Sequence, residues 1–459
     1  MVKPKLNRHP ERSRGISLHQ GGTAMTLLII PIILLTILNL FLVFTPEMGF
    51  DALWYHLTLP KLWLLKHQWY FPGGLLYYSA MPRLAETLFT PLVWLSGSLG
   101  PKLLQYLAGL GSAIFIWKTL SFLKQSSVLK MVGVSLFYAT WLVSWQSGSA
   151  YVDLIRTFWE TLALYYLVKG SWKPAGLFLG LAIGTKWLSL GSLAIYAAAF
   201  GLPLILPALL VSLPWFGLAY YFTGNPLYPL FSGVLNHSFL GLWIALKHLL
   251  LAPFYLTFPF DDFLSPLVGI LFILSLLSLR SKNQVARRVA WVAVLGSFFS
   301  LILDPPSSRF LLPYLPALAI SAVLWVSSLT QPKYRSLFIL VATLSSIGIL
   351  GLRLLAMSKY LPLFMGRQDS TSFLIANASR LPDTFIDTDG FVQSLPADAK
   401  ILVDKLHNLY YLSRDYDHTS WVTTQMGYDY LITIGEDPQK VAGELIHTNI
   451  LGIQIYKLL

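Results

Sequence analysis

Long apolar runs alternate with short polar linkers along most of the chain. A helix needs roughly 20 apolar residues to cross a bilayer. This pattern predicts about eleven spans, with 173–200 fitting either two short segments or one broken helix. The predicted spans are 26–46, 101–123, 129–148, 152–168, 173–187, 188–200, 202–223, 263–279, 287–303, 310–328 and 335–352.

The basic residues of the linkers predict the orientation. Cytoplasmic loops are enriched in Lys and Arg, so these linkers should lie inside, with the N-terminus in and the C-terminus out. This requires that the apolar stretch 84–97, which contains Glu86 and Pro91, does not cross. This orientation predicts a large first outer loop, about 47–100. Further outer loops are expected around 148–152, 224–262 and 304–309. The basic linker residues are Lys124, Lys130, Lys169, Lys173, Arg280, Lys282, Arg287, Arg288, Lys333 and Arg335.

The composition changes near residue 353. Of the 21 acidic residues, 12 lie between 354 and 459, and the apolar runs shorten to strand length at 399–404, 429–435 and 450–459. With a helix expected over 437–448, this predicts a small extracytoplasmic α/β domain at 353–459. Residues 25–352 form the predicted membrane domain. Residues 1–24 form a basic cytoplasmic tail, which is absent if translation starts at Met25.

Composition supports a multi-pass cell-membrane protein. Hydrophobic residues make up 55% of the 459 positions, the mean hydropathy is +0.61 and the net charge is +12. Many of the positive charges lie in the short linkers between apolar runs, where membrane topology requires them, so nucleic acid is not an expected partner. There is no cysteine, which excludes disulfides, thiolate nucleophiles and Cys-based metal sites. GxxxxGK[ST], GxSxG and HExxH are also absent, which removes the usual indications of ATP-driven transport, α/β-hydrolase chemistry and zinc proteolysis.

Two carboxylates near predicted span ends are candidates for catalysis. Asp51 lies in GFDALWYHLTLPK (49–61), and Asp153 lies in SAYVDLIRTFWE (149–160). Ionisable residues at membrane depth are costly and mark functional sites. Each aspartate also fits a helix cap. Arg156 and Glu160 fit a structural pair, and Glu47 fits a solvated charge.

Several cations of the predicted outer face have no topological reason to be there. Lys186, in an apolar run, needs an anionic partner, and Arg309 suits bidentate binding of phosphate or carboxylate unless it pairs with Asp304. Lys66 and Lys102 are expected to snorkel to lipid headgroups. Aromatic residues near His56 fit an interfacial belt. The residues predicted to bind an anionic lipid head or other substrate are His56, Lys61, Arg83, Lys186 and Arg309.

The order of these segments resembles the GT-C superfamily of membrane glycosyltransferases, in the branch similar to protein O-mannosyltransferases and aminoarabinose transferases. The resemblance rests on GFDALWYHLTLPK, MPRLAETLFTPLVWLSGSLGPKLLQYLAGL, AYVDLIRTFWETLALYYL, GLAIGTKW, SLPWFGLAYYFTGNPLYPLF and SSRFLLPYLPALAI. It covers most of residues 25–330.

The resemblance implies transfer, with inversion, of a sugar from a polyprenyl-phosphate-linked donor to an acceptor protein, lipid or glycan outside the membrane. It assigns Asp51 as the catalytic base and Asp153 as the second acidic residue. Family members often carry two adjacent acidic residues in the first loop, whereas Asp51 is followed by Ala52. A divalent cation bound by Asp51, Asp153 and histidines of the outer loops stays open as a cofactor.

Two other functions fit parts of the sequence. A transporter or flippase for a lipid-linked or anionic solute would place charges near the middle of several spans, whereas this chain gathers them at one surface. A non-catalytic scaffold would give the outer carboxylates and cations no shared purpose.

Overall fold

The computed structural model describes residues 18–232, 241–258, 267–303, 307–424, 426–436 and 442–458. These residues are mostly helical, with a small sheet at the C-terminal end. The α-helices in chain order are α1 Leu18–Val43, α2 Thr58–Leu65, α3 Leu84–Ser96, α4 Leu99–Phe122, α5 Ser127–Tyr138, α6 Trp141–Gln146, α7 Asp153–Val168, α8 Trp172–Thr185, α9 Ser189–Phe200, α10 Ile205–Thr223, α11 Leu242–Leu250, α12 Ala252–Thr257, α13 Val268–Ser278, α14 Gln284–Ile302, α15 Leu315–Ser328, α16 Pro332–Met357, α17 Leu361–Phe364, α18 Ser370–Ala376 and α19 Phe391–Ser394.

Within the described ranges, six helical segments are long and apolar enough to cross a membrane. The other predicted spans correspond to shorter helices such as α5, α8 and α13. A multi-pass membrane protein is therefore confirmed, while the count of eleven spans and their direction stay predictions. The six segments are Gly22–Val43, Leu99–Phe122, Leu202–Thr223, Gln284–Ile302, Ser308–Ser328 and Pro332–Phe364.

The stretch 173–200 is broken into two helices. Helix α8 ends at Thr185, Lys186 is extended (φ −153°, ψ 119°), and α9 begins at Ser189. The break turns Lys186 out of the helical path and directs its side chain at α7, with which α8 packs extensively.

The C-terminal sheet has five strands in the order β2-β1-β3-β5-β4. Strand β1 pairs in parallel with both β2 and β3, whereas β5 pairs antiparallel with β3 and β4. The three predicted strand regions contain β1, β3 and β5. The strands are β1 Ile401–Val403, β2 Asp417–His418, β3 Tyr430–Ile434, β4 Gly443–Thr448 and β5 Ile453–Leu458.

The helix predicted over 437–448 is wrong in its second half. Gly443–Thr448 forms strand β4, joined to β5 by a tight turn in which Asn449 N–H donates to the carbonyl of Ile453 and Gly452 takes φ +79°. Pairing with the free edge of β5 overrides the local helical preference. Residues 437–441 lie outside the described part of the chain.

The C-terminal sheet packs against the first loop, residues 47–100. Leu62 and Leu76 of the loop share an apolar cluster with Val403, Leu406 and Tyr416. The backbones approach so closely that a Cβ on Gly74 would lie 2.2 Å from the carbonyl oxygen of Ser420. The first loop is thus enclosed between helices on one side and the sheet on the other.

Candidate active site

Asp51 lies at the start of a helical turn in the first loop. A π-helical turn, Ala52–His56, follows it. Its carboxylate makes no capping hydrogen bond to that turn, so the helix-cap interpretation is wrong. Instead Oδ2 accepts a hydrogen bond of 2.6 Å from Nη1 of Arg309 and lies 3.5 Å from the hydroxyl of Tyr55.

Asp153 is the first residue of α7, and its side chain is almost fully buried. Lys186 Nζ donates to Oδ1 at 2.7 Å, and the amide of Gln146 donates to Oδ2 at 3.1 Å. The cap of α7 is Val152, without a side-chain hydrogen bond. The partner that Lys186 requires in its apolar surroundings is therefore Asp153.

Arg309 joins the two carboxylates. Its Nη1 lies 2.6 Å from Asp51 Oδ2 and 3.9 Å from Asp153 Oδ2, and its guanidinium lies 5.0 Å from the centre of the Tyr151 ring. Residue 304, the alternative partner, is outside the described residues. We call this group the carboxylate–cation cluster. It consists of Asp51, Asp153, Lys186 and Arg309.

A second group lies beside the cluster. His56 Nδ1 and Glu86 Oε1 are 2.5 Å apart, and both side chains are buried. The imidazole of His56 and the carboxyl group of Glu86 thus form a buried hydrogen bond. His56 Nε2 and Glu86 Oε2 are buried without a hydrogen-bond partner among the described residues. We call the space they border the His56–Glu86 pocket. Its wall includes Tyr55, His56, Tyr78, Arg83, Glu86 and Lys186.

Arg83 borders the His56–Glu86 pocket and is itself buried. The guanidinium lies between the rings of Trp63, Trp69 and Phe222, with 5.2, 5.7 and 5.2 Å to their centres, and it donates to the carbonyl of Ser79. Burial lowers the pKa of Arg83 to about 10, and the nearby Glu86 carboxylate opposes that shift. Arg83 therefore stays protonated at neutral pH.

Lys61 lies apart from the other predicted site residues. Its Nζ donates to the backbone carbonyl of Tyr410 at 2.6 Å and lies over the ring of the same residue. Burial lowers the pKa of Lys61 to about 8. The contacts of Lys61 are thus with the C-terminal sheet region.

Three charged residues interpreted as solvated or lipid-facing bond to other parts of the protein. Glu47 is buried and accepts hydrogen bonds from the backbone amides of Met48, Gly49 and Ala150. Lys102 is fully buried and donates to the carbonyl of Thr45 at 2.6 Å. Lys66 bridges Asp415 and Asp417 at 2.9 and 3.1 Å. Glu47 and Lys66 bond to protein because the first loop folds back onto the 148–152 segment and the C-terminal sheet. Lys102 faces the end of α1 from α4, so all three interpretations are wrong.

The carboxylates do not form a metal site of the expected kind. Within the described ranges, no group of three or more His, Asp or Glu side chains could hold a metal ion. Asp51 and Asp153 each face a cationic side chain at hydrogen-bond distance. A divalent cation between them would have to displace Arg309, so the donor set does not fit.

Sequence reasoning did not select Glu86, Tyr55 or Gln146 as site residues. Glu86 gave the clearest indication, because it is an acidic residue inside the apolar stretch 84–97. Tyr55 follows Asp51 by one helical turn. Nothing in the sequence indicated Gln146.

No protein-family model and no curated protein sequence matches the chain. Its architecture, however, matches the crystal structure of ArnT from Cupriavidus metallidurans bound to undecaprenyl phosphate. The TM-score is 0.63 at 11% identity, over 95% of this chain and 98% of that one. The apo crystal structure of the same ArnT gives a TM-score of 0.61 at 13% identity, over 95% of this chain and 97% of that one.

The chain has the GT-C fold. The similarity extends over nearly the whole length of both chains, so it includes the membrane helices and the C-terminal sheet. At this level of identity the comparison establishes the GT-C architecture, and the chemistry must be argued from the chain's own residues.

Proposed function

We propose that the chain is an inverting glycosyltransferase that moves a sugar from a polyprenyl-phosphate-linked donor to a protein, lipid or glycan on the extracytoplasmic face of the cell membrane. The observation that carries the proposal is the carboxylate–cation cluster. Asp51 and Asp153, from segments far apart in the chain, lie on either side of Arg309, with Lys186 against Asp153. The GT-C fold and the undecaprenyl phosphate bound to ArnT support a lipid-phosphate donor.

Asp51 is the proposed general base. It removes the proton from the acceptor hydroxyl or amine as that group attacks the anomeric carbon, and the bond from this carbon to the phosphate oxygen breaks. Inversion follows because attack and departure occur on opposite faces of the carbon. Asp51 lies against the guanidinium of Arg309, and a carboxylate accepts a proton only in its ionised form.

Arg309 and Lys186 are the proposed binding groups for the donor phosphate. The phosphate competes with Asp51 for Arg309, which frees the carboxylate to act as a base. The phosphate begins as a singly charged diester and leaves as a monoester carrying about −1.5 to −2 charges. Asp51 loses its charge as it gains the proton, so the total charge of the site stays nearly constant. Little reorganisation is then needed during the reaction.

Asp153 is proposed to position the two cations. It is buried against Lys186 and lies within 3.9 Å of Arg309, so it fixes both side chains at the place where the phosphate would lie. His56 and Arg83 remain proposed substrate-binding residues. Lys61 remains a proposed contributor to donor binding, although reaching the cluster requires it to leave the carbonyl of Tyr410.

The test is transfer of radiolabelled sugar from polyprenyl phosphate sugars in membranes, comparing the native chain with Asp51→Asn at equal expression. Asn keeps the shape of Asp but is not basic. We expect transfer to fall by about 10²- to 10⁴-fold with donor binding retained. Equal activity of Asp51→Asn and the native chain would refute the assignment of the base. If the native chain transfers nothing from any donor, flux of a lipid-linked solute is the measurement that addresses the transporter alternative.

A further inference from the structure

The buried side chain of Glu47 joins two distant segments of the chain. It is only 2% exposed. Its Oε1 accepts hydrogen bonds from the backbone N–H groups of Met48 and Gly49, at 2.9 and 2.7 Å, and from the hydroxyl of Ser149 at 2.7 Å. Its Oε2 accepts from the backbone N–H of Ala150 at 2.6 Å. Because a backbone N–H only donates, both oxygens of Glu47 serve as acceptors.

The two segments that Glu47 joins lead directly into the carboxylate–cation cluster. Residues 48–49 end two positions before Asp51, and residues 149–150 end three positions before Asp153. The hydrogen bonds from the second segment to Glu47 span 102 and 103 positions of the chain. The Asp51 carboxylate makes no capping hydrogen bond to the turn that follows it, so its place relative to Asp153 depends on contacts between the segments.

Close packing joins the same segments beyond the hydrogen bonds. A Cβ on Gly49 would lie 2.4 Å from Cε2 of Tyr151. The ring of Tyr151 in turn lies 5.0 Å from the guanidinium of Arg309, which bonds to Asp51. The two segments are therefore held together at two points, by Glu47 at one end and by Arg309 at the other.

The surroundings of Glu47 fix its own position. Its backbone carbonyl accepts a hydrogen bond of 2.7 Å from the hydroxyl of Tyr411, which follows β1 in the chain. Lys102 of α4 donates to the carbonyl of Thr45, and its ammonium is close enough to Glu47 to interact with it electrostatically. A buried carboxylate is tolerated when it is hydrogen-bonded and near an opposite charge. Glu47 meets both conditions and is a fixed point beside the first loop.

We propose that Glu47 is a positioning residue, which sets the place of Asp51 relative to Asp153 and Arg309 without touching the substrate itself. This inference rests on the proposed glycosyltransferase function and adds a residue that acts through the proposed base. A displacement of about 1 Å at a reacting group can lower a rate about 100-fold. Loss of the Glu47 link should therefore act on the chemical step more than on donor binding, because Lys186 and Arg309 keep their contacts with Asp153.

Two substitutions break the link and spare the local turn. In Glu47→Gln the amide oxygen keeps the three bonds of Oε1, but the amide N–H₂ then faces the N–H of Ala150, and two donors cannot bond to each other. Ser149→Ala removes the hydroxyl that bonds to Oε1. The double variant therefore loses both of these hydrogen bonds between the segments, while the bonds within residues 47–49 are kept.

The first measurement is the transfer rate per binding site. The full chain in lipid nanodiscs transfers sugar from polyprenyl phosphate sugars, and the rate is divided by the number of sites that bind undecaprenyl phosphate. In the double variant we expect kcat per site to fall about 10- to 100-fold. The donor KM and the Kd for undecaprenyl phosphate should stay within about threefold of the native values. A purely structural role would lower the number of sites and leave the rate per site unchanged.

A second background tests whether Glu47 acts through the base. In Asp51→Asn, the same double substitution should lower the residual rate by less than about threefold, because no base is left to position. Asn283→Ala is the control for lost stability. The Asn283 side chain caps α14 by accepting from the N–H groups of Val285 and Ala286, and loss of a cap destabilises a helix. We expect a lower melting temperature for this control with the native kcat per site.

The inference is overturned if the double variant keeps the native kcat per site. It is also overturned if the loss appears in donor affinity instead of kcat, or if the rate falls as far in the Asp51→Asn background as in the native one.

Hydrogen exchange separates failure of this inference from failure of the proposed function, because it needs no transfer. In the double variant, amide exchange should become faster in both segments, 47–51 and 149–153. Faster exchange in both segments of a chain that transfers nothing keeps Glu47 as their link and loses the proposed reaction. A native chain that transfers sugar, with a double variant that matches it in exchange and in kcat, keeps the reaction and loses the role of Glu47.

Discussion

Arg309 Nη1 lies 2.6 Å from Asp51 Oδ2, although the two residues are 258 positions apart in the chain. The same nitrogen lies 3.9 Å from Asp153. Arg309 therefore contacts the proposed base and is the group for which the donor phosphate would compete with it.

Replacing Arg309 tests this exchange. Arg309→Gln removes the charge that would stabilise the leaving phosphate, and we expect kcat/KM for transfer to fall by about 10²- to 10³-fold. Arg309→Lys keeps the positive charge but lacks the planar guanidinium, so its kcat/KM should lie between those of Arg309→Gln and the native chain. Initial transfer rates over a range of donor concentrations give the values. A native rate in Arg309→Gln would show that the phosphate is held elsewhere.

Substitutions of Asp153 and Lys186 should have non-additive effects on the stability of the protein. Removing one partner of a buried ion pair, by Asp153→Asn or Lys186→Gln, typically costs about 3–5 kcal/mol. Lys186→Gln should cost less than Asp153→Asn because Arg309 remains 3.9 Å from the Asp153 carboxylate. The double variant removes both charges and should be less destabilised than the sum of the two single variants. Thermal unfolding in detergent, measured for all four proteins of the cycle, checks this. If the destabilisation of the double variant equals the sum of the two single variants, the 2.7 Å contact between Lys186 Nζ and Asp153 Oδ1 is contradicted.

Gly49 should not tolerate a side chain. An added Cβ would lie 2.4 Å from the ring of Tyr151, which is the ring beside the Arg309 guanidinium. We expect Gly49→Ala to lower both the melting temperature and the transfer rate. Gly217→Ala in α10 is the matched control, because nothing lies within 4 Å of its Cβ position and alanine favours a helix by about 1 kcal/mol. Equal effects of the two variants would mean that the Tyr151 contact is unimportant.

The C-terminal sheet should lose stability in acid through His418. Burial lowers the pKa of His418 to about 4, against an ordinary value of 6.5. Between these pH values the unfolded chain binds the proton and the folded chain does not, so stability falls as the pH drops from 6.5 towards 4 and is unaffected by His418 above 6.5. The full loss is about 3 kcal/mol.

Hydrogen exchange of the amides in β1, corrected for intrinsic exchange at each pH, measures this loss locally, because β1 pairs with the strand that carries His418. His418→Asn lacks the titrating group, so the protection of β1 amides should change less with pH below 6.5. A native chain whose β1 protection is the same at pH 4.5 and pH 7 would contradict the assignment.

Sequence patterns predicted the architecture well where one run of residues determines an element. Long apolar runs marked many of the helices, and apolar runs of strand length marked β1, β3 and β5. Strand β4 was missed because its formation depends on the free edge of β5 and not on its own residues. The α8–α9 break was visible only as weakness in the apolar pattern around Lys186.

The sequence allowed prediction of which charged residues form the candidate site, but not of which residues pair with each other. An ionisable residue near a span end indicates function, and this selected Asp51, Asp153, Lys186 and Arg309. Which carboxylate meets which cation is set by helix packing between distant segments, and a single sequence does not contain that information. For the same reason Glu47, Lys66 and Lys102 were assigned to solvent or lipid, although each bonds to another part of the protein.

The contacts between the first loop and the C-terminal sheet have a consequence for biogenesis. Lys61 bonds to the carbonyl of a residue 349 positions later, and the Tyr411 hydroxyl bonds back to the carbonyl of Glu47 across 364 positions. The loop that carries Asp51 thus reaches its final arrangement only after nearly the entire chain has been synthesised. A product of premature termination would contain the first helices but lack the C-terminal residues that contact the loop carrying Asp51, so synthesis of the C-terminal sheet is itself a condition for completing the proposed site.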